Sequence, residues 1–135
     1  VELTESALMA DPVRGAEILS DLHTMGVRIA IDDFGTGYSS LAYLRRLPVD
    51  EIKIDKSFVM NMEANEGDVF IVRSVADLGH SLGLEVVAEG VENRQSLRLL
   101  THMGCDLAQG YHLSRPLPAE ELLAWLLIPR AELAT

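Results

Sequence analysis

Cysteine, lysine and long apolar runs are all scarce in this chain. A single cysteine, Cys105, in 135 residues excludes a disulfide framework and a cysteine-built zinc site, and it fits a reducing cytoplasm. No apolar stretch approaches the ~18 residues of a membrane span, Leu122–Ile128 being the longest near-continuous one. The start, Val1-Glu2-Leu3-Thr4-Glu5, shows no basic segment followed by an apolar one, so no signal peptide is expected. Positive charge is short as well: 11 basic residues face 21 acidic ones, for a formal net charge of −10. Nucleic-acid polymers and anionic membrane surfaces need a basic footprint, so neither is an expected partner. Divalent cations, which can bring a phosphate ligand to an acidic site, remain compatible. Lys53 and Lys56 are the only lysines, which makes a lysine inside an apolar strand conspicuous.

What is present is ordinary globular composition, 48% hydrophobic and 24% charged, which excludes disordered, collagen-like and coiled-coil classes. The recurring unit is a helix, a glycine and a short apolar strand. Asp11-Pro12 opens a helical period through Val13, Ala16, Leu19, Leu22 and Met25, and Gly26 ends it. Val27–Asp32 follows as a strand. The spacing predicts further helices over Asp68–Leu82 and Asn93–Met103, closed by Gly83 and Gly104, and shorter ones over Ser40–Leu47 and Ala119–Leu127. Strands are predicted near 1–4, 27–32, 51–55, 84–89 and 105–109. Alternation of this kind argues for an α/β fold with a parallel sheet. Period 2 places Ala30 with Asp32, Lys53 with Asp55, and Val87 with Glu89, so each set ends in a polar group. Charged groups gathered at the carboxyl ends of several parallel strands suit a (β/α) barrel better than an open doubly wound sheet.

The most informative stretch is Asp32-Asp33-Phe34-Gly35-Thr36-Gly37-Tyr38-Ser39-Ser40. Adjacent carboxylates at a strand end splay apart, so one can bridge two cations while the other binds one. Such oxygen donors suit Mg²⁺ or Mn²⁺, and two ions ~3.5–4 Å apart can clamp an in-line phosphoryl displacement. The alternative is an Asp-Asp helix cap with a glycine turn. Lys53, between Ile52 and Ile54, needs a carboxylate or phosphate partner if buried; Asp55 and Glu89 are both candidates for a structural pair. Glu92 could be a helix-start carboxylate. Glu2 and Glu5 flank another strand end, and Gln109 supplies an amide at the last one.

These residues carry a family resemblance. Glu2-Leu3-Thr4-Glu5, Asp32-Asp33-Phe34-Gly35-Thr36-Gly37-Tyr38-Ser39-Ser40-Leu41, Lys53-Ile54-Asp55, Val87-Ala88-Glu89-Gly90-Val91-Glu92 and Gln109-Gly110-Tyr111 resemble the C-terminal half of an EAL domain. The resemblance spans residues 1 to about 127, and it implies that residues 1–135 are the C-terminal part of one such domain. It implies a partial TIM-like barrel and bacterial phosphodiesterase activity that opens cyclic di-GMP to linear pGpG with two Mg²⁺ or Mn²⁺ ions. By the resemblance, Glu2, Asp32 and Asp33 are metal ligands, with Asp32 bridging. Lys53 contacts the attacking water and phosphate, Glu89 holds or deprotonates the water, and Gln109 borders the metal site. Glu5 braces the loop of Gly35 and Gly37 and couples it to dimerisation, while Asp55 and Glu92 support the site. The Glu-Ala-Leu segment that names the family and the asparagine of its next motif are absent, and the resemblance places both upstream of Val1.

Residues 1–135 by themselves are therefore expected to be inactive and to self-associate as a homodimer or larger species. The parent is expected in the cytoplasm, with upstream sensory or GGDEF-type domains and an inner-membrane anchor both compatible. Two other classes compete: a non-catalytic cyclic di-GMP receptor or interaction module, and an enolase-type Mg²⁺ enzyme with Lys53 as base.

Overall fold

A computed structural model describes residues 1–37 and 41–127. Tyr38, Ser39 and Ser40, with the start of the helix expected at Ser40, lie outside the described residues, as do Ile128 and the tail to 135. Five parallel strands form one sheet in strictly sequential order: β1 (Glu2–Thr4), β2 (Ala30–Phe34), β3 (Glu51–Ile54), β4 (Glu85–Ala88) and β5 (Leu107–Ala108). A doubly wound sheet reverses its strand order at a switch point. This one never does, so it is an arc of a (β/α) barrel.

The helices follow the capping chemistry of the sequence. The carboxylate of Asp11 accepts from the amide of Arg14 at 3.2 Å and starts α2 (Pro12–Thr24), and Gly26, at φ 80°, ends its last turn. Asn93 caps α6 (Arg94–His102) through the Ser96 amide at 2.9 Å. The long helix α5 (Glu66–Ser81) begins two residues before the expected Asp68, because Asn65 accepts from the Gly67 amide at 2.9 Å and caps it earlier. Two helices were not foreseen: α1 (Glu5–Ala10), capped by Thr4, and α4 (Lys56–Asn61), capped by Asp55. Both caps were read as strand ends. The remaining helices are α3 (Leu41–Leu44) and α7 (Ala119–Leu126).

The two sheet faces differ as period 2 requires. Ile31, Ile52, Ile54, Val86 and Ala88 join Leu19 of α2 and Val72, Val75 and Ala76 of α5 in one core. Each such side chain contributes about 1.5–3 kcal/mol by leaving water. Ala30, Lys53 and Val87 are buried on the opposite, lumenal face, apart from that cluster. The second strand departs from expectation. It starts at Ala30 rather than Val27, because the Ile29 amide donates to the Asp50 carboxylate at 2.8 Å and the ladder with β1 begins at Glu2 and Ala30. It also runs on to Phe34 through a register shift at Asp32-Asp33, with Asp33 at φ 54°. That irregularity lets Ile31 and Phe34 both face the core while the two aspartates stand together at the strand end.

Asp106 pins the start of β4 to that of β5. Its carboxylate accepts from the Val86 amide at 2.8 Å and pairs with His80 of α5 at 2.9 Å. Burial pushes its pKa up, but the Val86 and His80 bonds outweigh this and hold it below the ordinary value. A depressed carboxyl contributes stability that is complete above the ordinary aspartate pKa and is lost as pH falls through the lower, folded value. Asp106→Asn should therefore destabilise the intact protein by about 1–2 kcal/mol at pH 7. Acidification below pH 4 should then cost the variant less than it costs the wild type. Denaturant titrations at pH 7 and pH 3 check this; identical curves for the two proteins at pH 7 would sink it.

Candidate active site

Lys53 is the centre of the site. It stands on β3, its side chain only 6% exposed, with its stem on the lumenal face and its ammonium among carboxylates. Nζ donates to Glu89 at 2.6 Å and to Glu2 at 2.9 Å, and lies 3.9 Å from Asp32 Oδ1. Burial alone would lower the pKa of this ammonium, but the bonds to Glu89 and Glu2 more than reverse that and raise it above the ordinary lysine value. Lys53 is thus a fixed cation. Its partners are Glu2 and Glu89, not Asp55. Glu2 reaches this point from the first residue of β1, one level below the other groups.

Asp32 and Asp33 diverge. The Asp32 carboxylate turns to the lumen and accepts from the Asp33 amide at 2.9 Å. Asp33 turns toward Asp55: a hydrogen bond shared with that carboxyl, then burial and the Asp32 charge, hold its pKa above the ordinary range. Burial raises that of Asp55, yet bonds from the Ser57 hydroxyl and amide bring it below. Asp55 therefore starts α4, and its carboxyl crowds that of Asp33.

Glu5, 2% exposed, braces the following loop: Oε2 accepts from the Gly35 amide at 3.2 Å and the Gly37 amide at 3.1 Å. Gly35 sits at φ 101°, and a Cβ there would press on the Phe58 ring at 3.1 Å. Both facts explain the glycine.

Among the described residues no three acidic, cysteine or histidine groups converge on one metal position, since Lys53 draws Glu2 and Glu89 onto itself. The donor chemistry nonetheless fits a hard cation. Glu2, Asp32 and Asp33 offer only carboxylate oxygens, and the crowding of Asp33 by Asp55 and Asp32 is repulsion that added positive charge would relieve.

Beside Glu89 opens a cavity of about 410 Å³, bordered by Lys56, Met60, Glu89, Glu92, Gln109 and Tyr111. Gly90 and Gly110 also line it. A Cβ on Gly90, at φ 71°, would fall 2.6 Å from the Lys56 Cβ, and one on Gly110 would fall 2.1 Å from the Val91 carbonyl oxygen. Glu92 lies on the rim just before the α6 cap and starts no helix itself. Met60 of this cavity is not marked by the sequence, Tyr111 stands out only within the Gln109-Gly110-Tyr111 stretch, and Lys56 only as one of two lysines. The signal available was Gly90, whose glycine reflects how closely α4 approaches. The backbone amide of His112 donates to the Val91 carbonyl at 3.0 Å.

The site is thus an arc of parallel (β/α) barrel with acids and a buried lysine on its lumenal face. Comparison with known proteins gives its family. The family model for the EAL domain matches residues 1–116, and the chain belongs to the EAL domain family. It is 50% identical over 124 residues to the bifunctional diguanylate cyclase/cyclic di-GMP phosphodiesterase MucR of Pseudomonas aeruginosa, covering 92% of this chain and 18% of that protein. The cyclic di-GMP phosphodiesterase NbdA of the same organism is 48% identical over 126 residues, 93% of this chain and 16% of NbdA. Among solved structures, the MucR phosphodiesterase in complex with c-di-GMP superposes with a TM-score of 0.88 at 50% identity, covering 90% of this chain and 49% of that one. Klebsiella pneumoniae BlrP1, in a manganese/cy-diGMP complex, gives 0.78 at 38% identity, covering 85% of this chain and 29% of that one. The chain thus spans under a fifth of these curated relatives and about half of the solved MucR chain.

Proposed function

We propose that this chain is the C-terminal part of an EAL domain and that the protein carrying it hydrolyses cyclic di-GMP to linear pGpG. The observation that carries the reading is the placement of Glu2, Asp32 and Glu89 around the buried ammonium of Lys53. Glu2, Asp32 and Asp33 would hold Mg²⁺ or Mn²⁺, which when bound lowers the pKa of a water and screens phosphate charge. Glu89, held by Lys53, is positioned to take the proton of that water. The water oxygen forms the new bond to phosphorus as the bond to the 3′ oxygen breaks, giving a 5′-phosphate and a free 3′-hydroxyl. The Lys53 ammonium, paired with Glu89 and Glu2, offsets charge that builds on the phosphate oxygens. Gln109 borders the same rim, and Glu5 keeps the Gly35–Gly37 loop in place. Self-association of the domain and a cytoplasmic setting belong to this proposal; no described helix is long and apolar enough to cross a membrane.

Incubating the intact protein with cyclic di-GMP and Mg²⁺ and resolving the nucleotides tests it: pGpG should accumulate, and an unaltered substrate pool would refute it. Mn²⁺ should also support turnover while Ca²⁺ inhibits. Ca²⁺ prefers bonds of ~2.3–2.6 Å and a looser shell, which would misplace the water relative to Glu89. Equal rates in Ca²⁺ and Mg²⁺ would contradict the geometry assigned to Glu89.

A further inference from the structure

We propose that Ser96 and Glu63 are positioning residues for the hydrolysis, acting on the reacting groups through helix α4. This rests on the cyclic di-GMP reading above and adds what keeps Asp33 and Glu89 aligned. Helix α4 meets the site along its whole length. Its cap, Asp55, crowds the Asp33 carboxyl. The Phe58 ring lies against Gly35, in the loop that Glu5 braces. Lys56 and Met60 close on Gly90, the residue after Glu89: a Cβ there would fall 2.6 Å from the Lys56 Cβ and 3.4 Å from the Met60 Cγ. A helix of six residues is too short to hold its own course, so its placement comes from what it is fastened to. Val59 and Met62 fasten it to the core.

Its far end is fastened by a polar bond. The Ser96 hydroxyl donates to Glu63 Oε1 at 2.7 Å, across 33 positions of sequence. Glu63 stands in the turn between α4 and α5, and Ser96 in the first turn of α6. Ser96 shares the buried side of α6 with Leu100 and is only 2% exposed. A hydroxyl at such a position costs free energy unless it is bonded, so packing alone does not account for it. The Glu63 carboxylate also lies against the amino-terminal turn of α6, where negative charge is favoured. Helix α6 follows Glu89 after the short link Gly90-Val91-Glu92-Asn93. The bond therefore joins the segment leaving Glu89 to the segment leaving α4, and the two already meet at Gly90. Without it α4 can shift against the end of β4, which displaces Asp33 and Glu89 although neither is altered.

The test is steady-state hydrolysis of cyclic di-GMP by the intact protein with Mg²⁺, at a temperature well below its melting transition. Ser96→Ala and Glu63→Ala should each lower kcat by about tenfold to a hundredfold, the cost of slightly misplacing reacting groups. KM should stay within about twofold, because the displaced groups act in the chemical step. The double variant should be no slower than the slower single one, since both changes remove one bond. Glu63→Gln should recover most of kcat, because its amide oxygen can accept from the same hydroxyl. Glu63 is exposed, so its variants should fold as wild type does. Residues that served folding alone would lower the melting temperature and leave kcat of the folded protein unchanged. That outcome, additive losses in the double variant, or no recovery with Glu63→Gln would overturn the positioning role and leave the phosphodiesterase reading intact. If wild type itself produced no pGpG, both would fall.

Discussion

Asp32→Asn is expected to abolish hydrolysis of cyclic di-GMP by the intact protein, and Asp33→Asn to leave a measurable remainder. The two side chains are neighbours in sequence but are placed differently. Asp32 faces the lumen, its carboxylate 3.9 Å from the Lys53 ammonium that also binds Glu89. On the proposed reading, removing its charge takes a donor from the point where cations and the attacking water would meet. Asp33, by contrast, is partly committed to Asp55, and its pKa is already raised by that contact. Replacing it by the isosteric amide removes less charge from the lumen and relieves repulsion with Asp55. Glu89→Gln tests the same arrangement from the other side: kcat should fall by about 10²–10⁴-fold, the usual contribution of a positioned general base. Steady-state kinetics on the three variants, with folding checked by circular dichroism, decide the matter. Near-normal turnover by Asp32→Asn would remove the basis for metal binding at this strand end.

The sheet and its polarity could be read from residues because the chain repeats one local device, a capped amphipathic helix closed by glycine before a β-branched strand. Gly26, Gly83 and Gly104 all sit at positive φ where the reading placed helix ends. The alternation around Lys53 was equally readable, since Ile52 and Ile54 can only face the helices. What escaped was short or depended on partners distant in sequence. Two six-residue helices, α1 and α4, leave too little periodicity to detect, and their caps, Thr4 and Asp55, also fit as strand ends. The shift of β2 to Ala30–Phe34 depends on Asp50 taking the Ile29 amide, a contact across 21 positions. The Asp33–Asp55 contact and the cavity at Gly90 need the path of α4, so recognising an EAL-like motif named the acids without saying which of them touch.

Made as residues 1–135 alone, the chain is expected to self-associate and to produce no pGpG. Among the described residues the sheet has β1 and β5 as its outer strands, each paired on one side only. Parallel edges of this kind are normally covered or paired, because their free amide and carbonyl groups can capture another chain. The solved MucR chain is about twice as long as the part this chain matches, so an intact EAL domain has further residues to close such an arc. Helix α7 adds apolar surface, with Leu123, Leu126 and Leu127 exposed by 66%, 61% and 85%. Exposed leucines at this density on an isolated piece favour association over solvation. Activity should fail for a separate reason: Glu2, Asp32 and Asp33 alone are too few donors to fill the shells of two cations that prefer near-octahedral coordination. Light scattering on purified residues 1–135 should therefore report a mass above 14.8 kDa, and an assay with Mn²⁺ should show no pGpG. Supplying the rest of the domain as a separate polypeptide should recover turnover and reduce the scattering mass toward that of a defined complex. A monodisperse 14.8 kDa monomer that hydrolyses cyclic di-GMP would mean that the five-stranded arc is self-sufficient and that its own carboxylates complete the site.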